Sequence, residues 1–168
     1  DEGWKLAERD EFLRPETTLE ALADLRTPFR AGGRVTAGNS AGLTDGATAA
    51  LLASEAAAGD LGLEPRMRLV GFAYAGVEPH LMGLGPVPAV RKLLDRHQLK
   101  LDQVDVIELN EAFASQVLAC DRELKFDRER LNPNGGGIAL GHPTGCSGSR
   151  ILETLLHELA RSKGRYGI

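Results

Sequence analysis

The sequence predicts an α/β layered fold built on a largely parallel sheet. Three observations carry that expectation. Helical and buried-strand patterns alternate along the chain in the order helix, strand, helix, strand, helix. Leu69–Val77 is a run of apolar and small residues, as in a strand covered on both faces, and Val104–Leu109 reads as a second buried strand. Glycine-rich loops accompany the strand ends, where open α/β sheets bind their ligands.

Taken in order, residues 1–16 are polar and unpatterned. Thr17-Thr18-Leu19-Glu20 reads as a helix start, a hydroxyl residue followed three positions later by a glutamate. Leu19, Leu22 and Leu25 fall on one face of that helix, and Pro28 closes it. The stretch from Ala31 to Gly46 is rich in Gly, Ser, Thr and Asn and reads as a strand end running into a loop. From Thr44 to Ala58 the chain is mostly alanine and leucine, which predicts a closely buried helix. Gly59 or Gly62 would cap it.

Leu69–Val77 is the first buried strand. Gly83–Pro88 is a loop, with Pro88 placed to start a helix whose core face is Ala89, Val90, Leu93, Leu94 and His97. Val104–Leu109 is the second buried strand. Asn110-Glu111 follows it directly, and Ala112, Phe113, Gln116, Val117 and Cys120 then form a helical stripe. Residues 132–148 are a long glycine-rich loop. Ile151, Leu152, Leu155, Leu156 and Leu159 are the core face of the last helix. Two or three strands are few for a parallel sheet, which needs neighbours on both edges. The pattern reads as part of a larger unit.

Composition narrows the function classes. The 168 residues are 26% charged and 42% hydrophobic, with a net charge of −4. That balance is ordinary for a globular domain, and an acidic chain without a basic run is a poor nucleic-acid binder. No apolar stretch approaches the roughly 18 residues of a membrane span. The start, Asp1-Glu2-Gly3-Trp4-Lys5, lacks the basic and apolar regions of a signal peptide. Two cysteines make no disulfide framework, so free thiols and a cytoplasmic location are expected. The unusual number is 20 glycines, where a chain of this length at the usual share of roughly 7% would carry about 12.

The segment from Asn132 to Ser149 holds many of them. Its backbone amides can point inward unobstructed, and Pro143 restricts His142 to extended conformations, fixing where the imidazole projects. The helix that follows offers unpaired N–H groups. An imidazole beside such amides can stabilise a developing oxyanion. The same segment also reads as a phosphate loop or a plain turn, but no Gly-Lys-Ser/Thr or dinucleotide fingerprint is present. Asn110-Glu111 reads either as an amide held in a site or as a helix cap, and the dipeptide by itself favours the cap. His142 stands out among the four histidines. His97 and His157 fit helical packing, and His80 is in a loop. Cys120 lies on an apolar helix face and is expected to be buried. Cys146 sits near a helix N-terminus that would activate a thiol. Met82 either lines an apolar pocket or packs.

Three blocks then coincide with a known family. Val35-Thr-Ala-Gly-Asn-Ser-Ala-Gly42 with Asp45-Gly46, Asn110-Glu-Ala-Phe-Ala114, and Gly141-His-Pro-Thr-Gly-Cys-Ser-Gly148 resemble thiolases in order and spacing. Met82–Ala89 and Asn134-Gly-Gly136 are similar as well. The resemblance runs across essentially the whole chain. It implies a thiolase-like layered αβαβα fold with an incomplete C-terminal half. Residues 1–37 would be the end of an inserted loop region, residues 38–65 the closing segment of the N-terminal half, and residues 66–168 the C-terminal half without its last strands.

The resemblance also implies an activity: reversible Claisen condensation and thiolytic cleavage of 3-oxoacyl-CoA through a cysteine thioester, as in fatty-acid metabolism and β-oxidation. Asn110, through a water, and His142 would form an oxyanion hole, and His142 would help activate the nucleophile. Gly38, Asn39, Ser40, Met82 and Phe113 would contact the coenzyme A thioester. Gly141, Pro143 and Gly145 would support the oxyanion loop. The chain departs from the family at Ala41, where many thiolases carry serine. The nucleophilic and acid/base cysteines match nothing here: Cys146 falls on a variable position of its motif and Cys120 on no catalytic one. The segment alone is therefore expected to be inactive. Coenzyme A is a substrate, with no covalent cofactor and no metal, and a homodimer or homotetramer is expected. A decarboxylating ketoacyl synthase would carry histidine at Asn110. A non-catalytic CoA- or lipid-binding module is the remaining alternative.

Overall fold

The computed structural model describes residues 3, 6 and 8–168. Asp1, Glu2, Trp4 and Lys5 of the opening segment lie outside the described residues, and so does Ala7. Among the described residues six α-helices follow in order: α1 Leu19–Ala23, α2 Glu55–Asp60, α3 Pro86–His97, α4 Ala114–Leu124, α5 Gly137–Leu140 and α6 Ser147–Ser162. Short 3-10 turns lie at Ala37–Asn39, Pro79–Leu84 and Leu101–Gln103.

The helix starts follow their caps. Thr18 rather than Thr17 caps α1, its side chain accepting from Ala21 N. Pro86, two residues before the predicted Pro88, occupies the first turn of α3. The alanine-rich run is corrected more sharply: helix begins only at Glu55, capped by Ser54, and residues 44–54 carry none. Leu51 and Leu52 are 81% and 79% exposed there, so the close burial that the small side chains suggested is missing. Alanine and leucine favour helix, but without that packing propensity alone does not hold one. Gly62, not Gly59, ends α2: it is left-handed, and Leu63 N reaches back to Ala58 O.

The second predicted strand is confirmed as the centre of the core. Val104, Val106 and Ile107 are buried, and Val104 and Ile107 pack with Val87, Cys120 and Phe126 in one cluster. The segment is flanked in parallel on both sides. Val106 bridges Gly167, and Ile107 bridges Leu131. Glu108 N donates to Ile168 O and Asn132 N to Ile107 O, each at 2.8 Å. The pairings are isolated bridges, and no longer ladder forms among the described residues. Asp105 fastens the returning chain by accepting from Arg165 N and Tyr166 N. Those two backbone donors, Tyr166 first, hold its carboxyl below the usual range.

Leu69–Val77 is not a buried strand here. Leu69, Val70, Phe72 and Tyr74 are all more than half exposed. α3 covers this segment from one side: Lys92 and Arg96 donate to the carbonyls of Tyr74 and Phe72, and the His97 ring lies against Gly71. A run apolar on both faces needs a neighbour on each edge, and the described residues supply none. Cys120 is fully buried at the α4 core face, as expected, its thiol donating to Gly83 O, and burial pushes that thiol up. No helix of the described residues is long and apolar enough to cross a membrane, and no cluster of His, Cys, Asp or Glu among them could hold a metal ion.

Candidate active site

Three loops meet at the carboxyl end of the 104–109 strand. Thr36 caps the 3-10 turn at Ala37–Asn39, and the chain leaves it to bridge Phe113 through Ser40. Ala41 N then donates to Ala112 O at 3.1 Å. One residue on, Gly42 O accepts from His142 N at 2.8 Å. Segments 40–42, 110–113 and 137–142 are therefore stitched together backbone to backbone. Gly141 is buried with φ +89°, and a side chain there would press into Thr44. A β-carbon is penalised both by that conformation and by that contact.

His142 and Asn110 come together in this junction. Asn110 Nδ2 lies 3.4 Å from His142 Nε2, and Asn110 Oδ1 is buried without a partner. On its other side the ring's Nδ1 lies 2.6 Å from Ser147 Oγ. Which atom donates in each contact depends on which ring nitrogen carries the proton. The cap reading of Asn110 is overturned: α4 begins at Ala114 with Phe113 as its N-cap, so Asn110 belongs to the loop before the helix.

Glu111, given no role of its own by the sequence pattern, organises the site. Its Oε1 accepts from Asn132 Nδ2 at 2.9 Å and its Oε2 from Ile138 N at 3.1 Å. Asn132, itself 8% exposed, also ties both backbone groups of Leu109 at 2.8 Å. One carboxylate thus joins the end of the strand, the glycine loop and the start of α5. Gly136 makes room for it: a Cβ there would sit 2.6 Å from both carboxylate oxygens. The available signal is an acidic residue at a strand end together with the glycine triplet Gly135-Gly-Gly137. Nearby, Glu108 is pushed up to about 7, mainly by burial; Arg150 counteracts this, while Glu111 and Glu158 add to it. Arg150 also donates to Gly141 O at 2.8 Å, bracing the glycine-rich loop from α6.

The other predicted positions divide. Asn39 and Ser40 direct their polar atoms into their own turn: Asn39 bonds Thr36 N and Arg34 O, and Ser40 Oγ bonds Thr36 O. Gly38 sits beneath Leu22 and Leu25 of the α1 region. Phe113 meets Phe29 edge to face at 6.1 Å. Met82 is 73% exposed in the turn whose next residue, Gly83, packs on Gln116 of α4. Pro143 is buried against Gly46. Gly145 is exposed, with nothing close to the position a Cβ would take. Cys146 is the N-cap residue of α6, buried, and its thiol approaches Thr48 Oγ1 at 3.6 Å rather than the His142 ring.

The fold so joined is that of thiolases. Residues 63–168 match the thiolase C-terminal domain and residues 1–56 the thiolase N-terminal domain, and the chain belongs to the thiolase family. It is 57% identical over 163 residues to the 3-oxoadipyl-CoA/3-oxo-5,6-dehydrosuberyl-CoA thiolase of Escherichia coli K12, covering 96% of this chain and 41% of that protein. It is 58% identical over 168 residues to the β-ketoadipyl-CoA thiolase of Pseudomonas aeruginosa, covering 99% of this chain and 42% of that protein. The crystal structure of human mitochondrial 3-ketoacyl-CoA thiolase superposes with a TM-score of 0.89 at 49% identity, over 94% of this chain and 40% of that one; the same enzyme has also been solved in complex with CoA. The fold is thiolase-like, and the chain spans about two fifths of the length of these relatives.

Proposed function

We propose that residues 1–168 carry the oxyanion-stabilising side of a thiolase site, and that the intact enzyme containing them cleaves and forms 3-oxoacyl-CoA. The carrying observation is the 3.4 Å approach of Asn110 Nδ2 to His142 Nε2 at the junction of three backbone-tied loops. In thiolytic cleavage a thiolate attacks the 3-oxo carbon and the C2–C3 bond breaks. The electron pair of that bond moves to C2 and onto the thioester oxygen as an enolate. Donors fixed in place before the charge appears stabilise it without reorganisation. Asn110 and His142 are suited to that oxygen, Asn110 directly or through a water. Protonation of C2 releases acetyl-CoA, and the thiol of a second coenzyme A opens the acyl thioester left on the enzyme. We assign the nucleophilic and acid/base cysteines to positions outside residues 1–168, since Cys120 is fully buried in the core and Cys146 faces Thr48.

Coenzyme A thioesters are then substrates. The Thr36–Ser40 turn, Met82 and Phe113 are our candidates for the coenzyme A contact, and residues 38–65 and 66–168 for parts of the two halves of the fold. The names of the relatives above support 3-oxoadipyl-CoA as the first acyl chain to assay. The test is thiolysis by the intact enzyme, following loss of the 3-oxoacyl-CoA enolate absorbance with 3-oxoadipyl-CoA and with acetoacetyl-CoA. Turnover of either, with acetyl-CoA as product, is the expected result. Saturable binding of coenzyme A with no turnover of either substrate would instead make this a non-catalytic binding module.

A further inference from the structure

The contact behind the His142 ring decides how that ring is held, and its importance rests on the reading of His142 as a donor to the thioester oxygen. We propose that Ser147 is a positioning residue whose hydroxyl donates to His142 Nδ1 and thereby keeps the ring proton on Nε2, facing Asn110 and the substrate. Ser147 Oγ has two acceptors in reach, His142 Nδ1 at 2.6 Å and Pro143 O at 3.2 Å. Pro143 O already accepts from Cys146 N at 2.8 Å and from Ser147 N at 2.9 Å. A carbonyl oxygen has two lone pairs, so a third and longer bond to it is the poorer use of the single hydroxyl proton. Ser147 is 3% exposed, which leaves little room for solvent to compete.

A neutral imidazole carries one proton, so accepting at Nδ1 leaves Nε2–H as the donor and no ring nitrogen free to take the nucleophile's proton, which sets aside the activating role that the resemblance gave His142. Nε2–H and the Asn110 amide N–H then stand 3.4 Å apart as two donors. Both are satisfied together only by an acceptor placed between them, which is what a thioester or enolate oxygen supplies. The backbone fixes the rest: His142 N is bound to Gly42 O, and Ser147 opens α6 five residues on, so ring and hydroxyl are presented by one rigid turn.

The experiment uses the intact enzyme with Ser147→Ala, Ser147→Thr and His142→Ala. Ser147→Ala should lower kcat about tenfold, the worth of one net hydrogen bond, with KM within about twofold. Ser147→Thr, which keeps the hydroxyl, should recover most of the loss. In 15N spectra of His142, the Nε2–H tautomer should dominate the parent and give way in Ser147→Ala. Should the alanine variant melt early, Ser147→Cys removes the strong donor at similar volume and takes its place. Equal losses in the Ala and Thr variants, an unchanged kcat, or an unchanged tautomer in Ser147→Ala would each overturn the assignment of Ser147. His142→Ala with undiminished kcat would overturn instead the reading of His142 on which it stands.

Discussion

Substituting Gly136 by alanine tests whether the Glu111 carboxylate organises the site. The added Cβ would lie 2.6 Å from both carboxylate oxygens, well inside contact distance, so something must move. A free carboxylate would swing aside at little cost. This one is pinned by Asn132 Nδ2 and Ile138 N, so displacing it breaks two hydrogen bonds to a charged acceptor. Such bonds are worth about 1.5–3 kcal/mol each. Taking the lower figure, because the surrounding loop relaxes in part, Gly136→Ala should cost about 3 kcal/mol. That is a large share of a typical net stability of about 5–15 kcal/mol. The assay is a melting and chemical-denaturation comparison of the intact enzyme with Gly136→Ala, Glu111→Ala and the double variant. In the Glu111→Ala background the glycine substitution should cost less than about 1 kcal/mol, because its obstacle is gone. Equal costs in both backgrounds would refute the claim that Gly136 is kept small to seat Glu111.

Cys146→Ser should retain most of the thiolysis rate, and a radiolabelled acetyl group trapped on the intact enzyme should not map to the Cys146 peptide; label there would make Cys146 the nucleophile. Glu108 is favoured in its neutral form, with a pKa raised from 4.5 to about 7 chiefly by burial. Its stabilising contribution is therefore complete below about pH 4.5 and is lost as pH rises to about 7. Glu108→Gln should flatten the stability profile within that window, and an unchanged profile would show that another group titrates there. Residues 1–168 expressed alone should show no thiolysis and should bind an apolar dye strongly. Leu51, Leu52, Leu69, Val70, Phe72 and Tyr74 are all exposed, and each large apolar side chain left in water forgoes about 1.5–3 kcal/mol of burial. A cooperative melt with measurable activity would contradict this.

Sequence reasoning reaches those parts of the fold whose causes are local. The α6 core face is readable in part from its helical spacing: Leu155 is buried as expected, but Leu152 is 47% exposed and Glu158 is buried in its stead. Val104–Leu109 is readable from its apolar positions Val104, Val106 and Ile107, which the chain buries between two parallel neighbours. Leu69–Val77 carries the same pattern but lies exposed, because a strand's burial is decided by neighbours, and periodicity does not say whether they are present. The alanine-rich run misleads for a related reason: alanine favours helix, but propensity without packing does not hold one, and only Ser54 with Glu55 marks where helix begins. At the site, Pro143 and the glycines point to His142, whereas Asn110 alone looks like a cap. Glu111 and Ser147 act through partners 21 to 27 and five residues away, and such pairings leave no periodic trace. Glu111 becomes visible only by asking what Gly136 makes room for.

The central claim is that Asn110 and His142 act together on one oxygen, and a double-mutant cycle on kcat measures it most directly. Thiolysis by the intact enzyme would be followed for His142→Ala, Asn110→Ala and the double variant, with kcat and KM separated. Loss of one oxyanion donor should lower kcat by roughly two to three orders of magnitude in each single variant, with KM changing far less. The double variant should be little slower than the worse single one, because the two donors serve the same charge. A kcat within about threefold of the parent in His142→Ala, or fully multiplicative losses in the double variant, would contradict a shared oxyanion site.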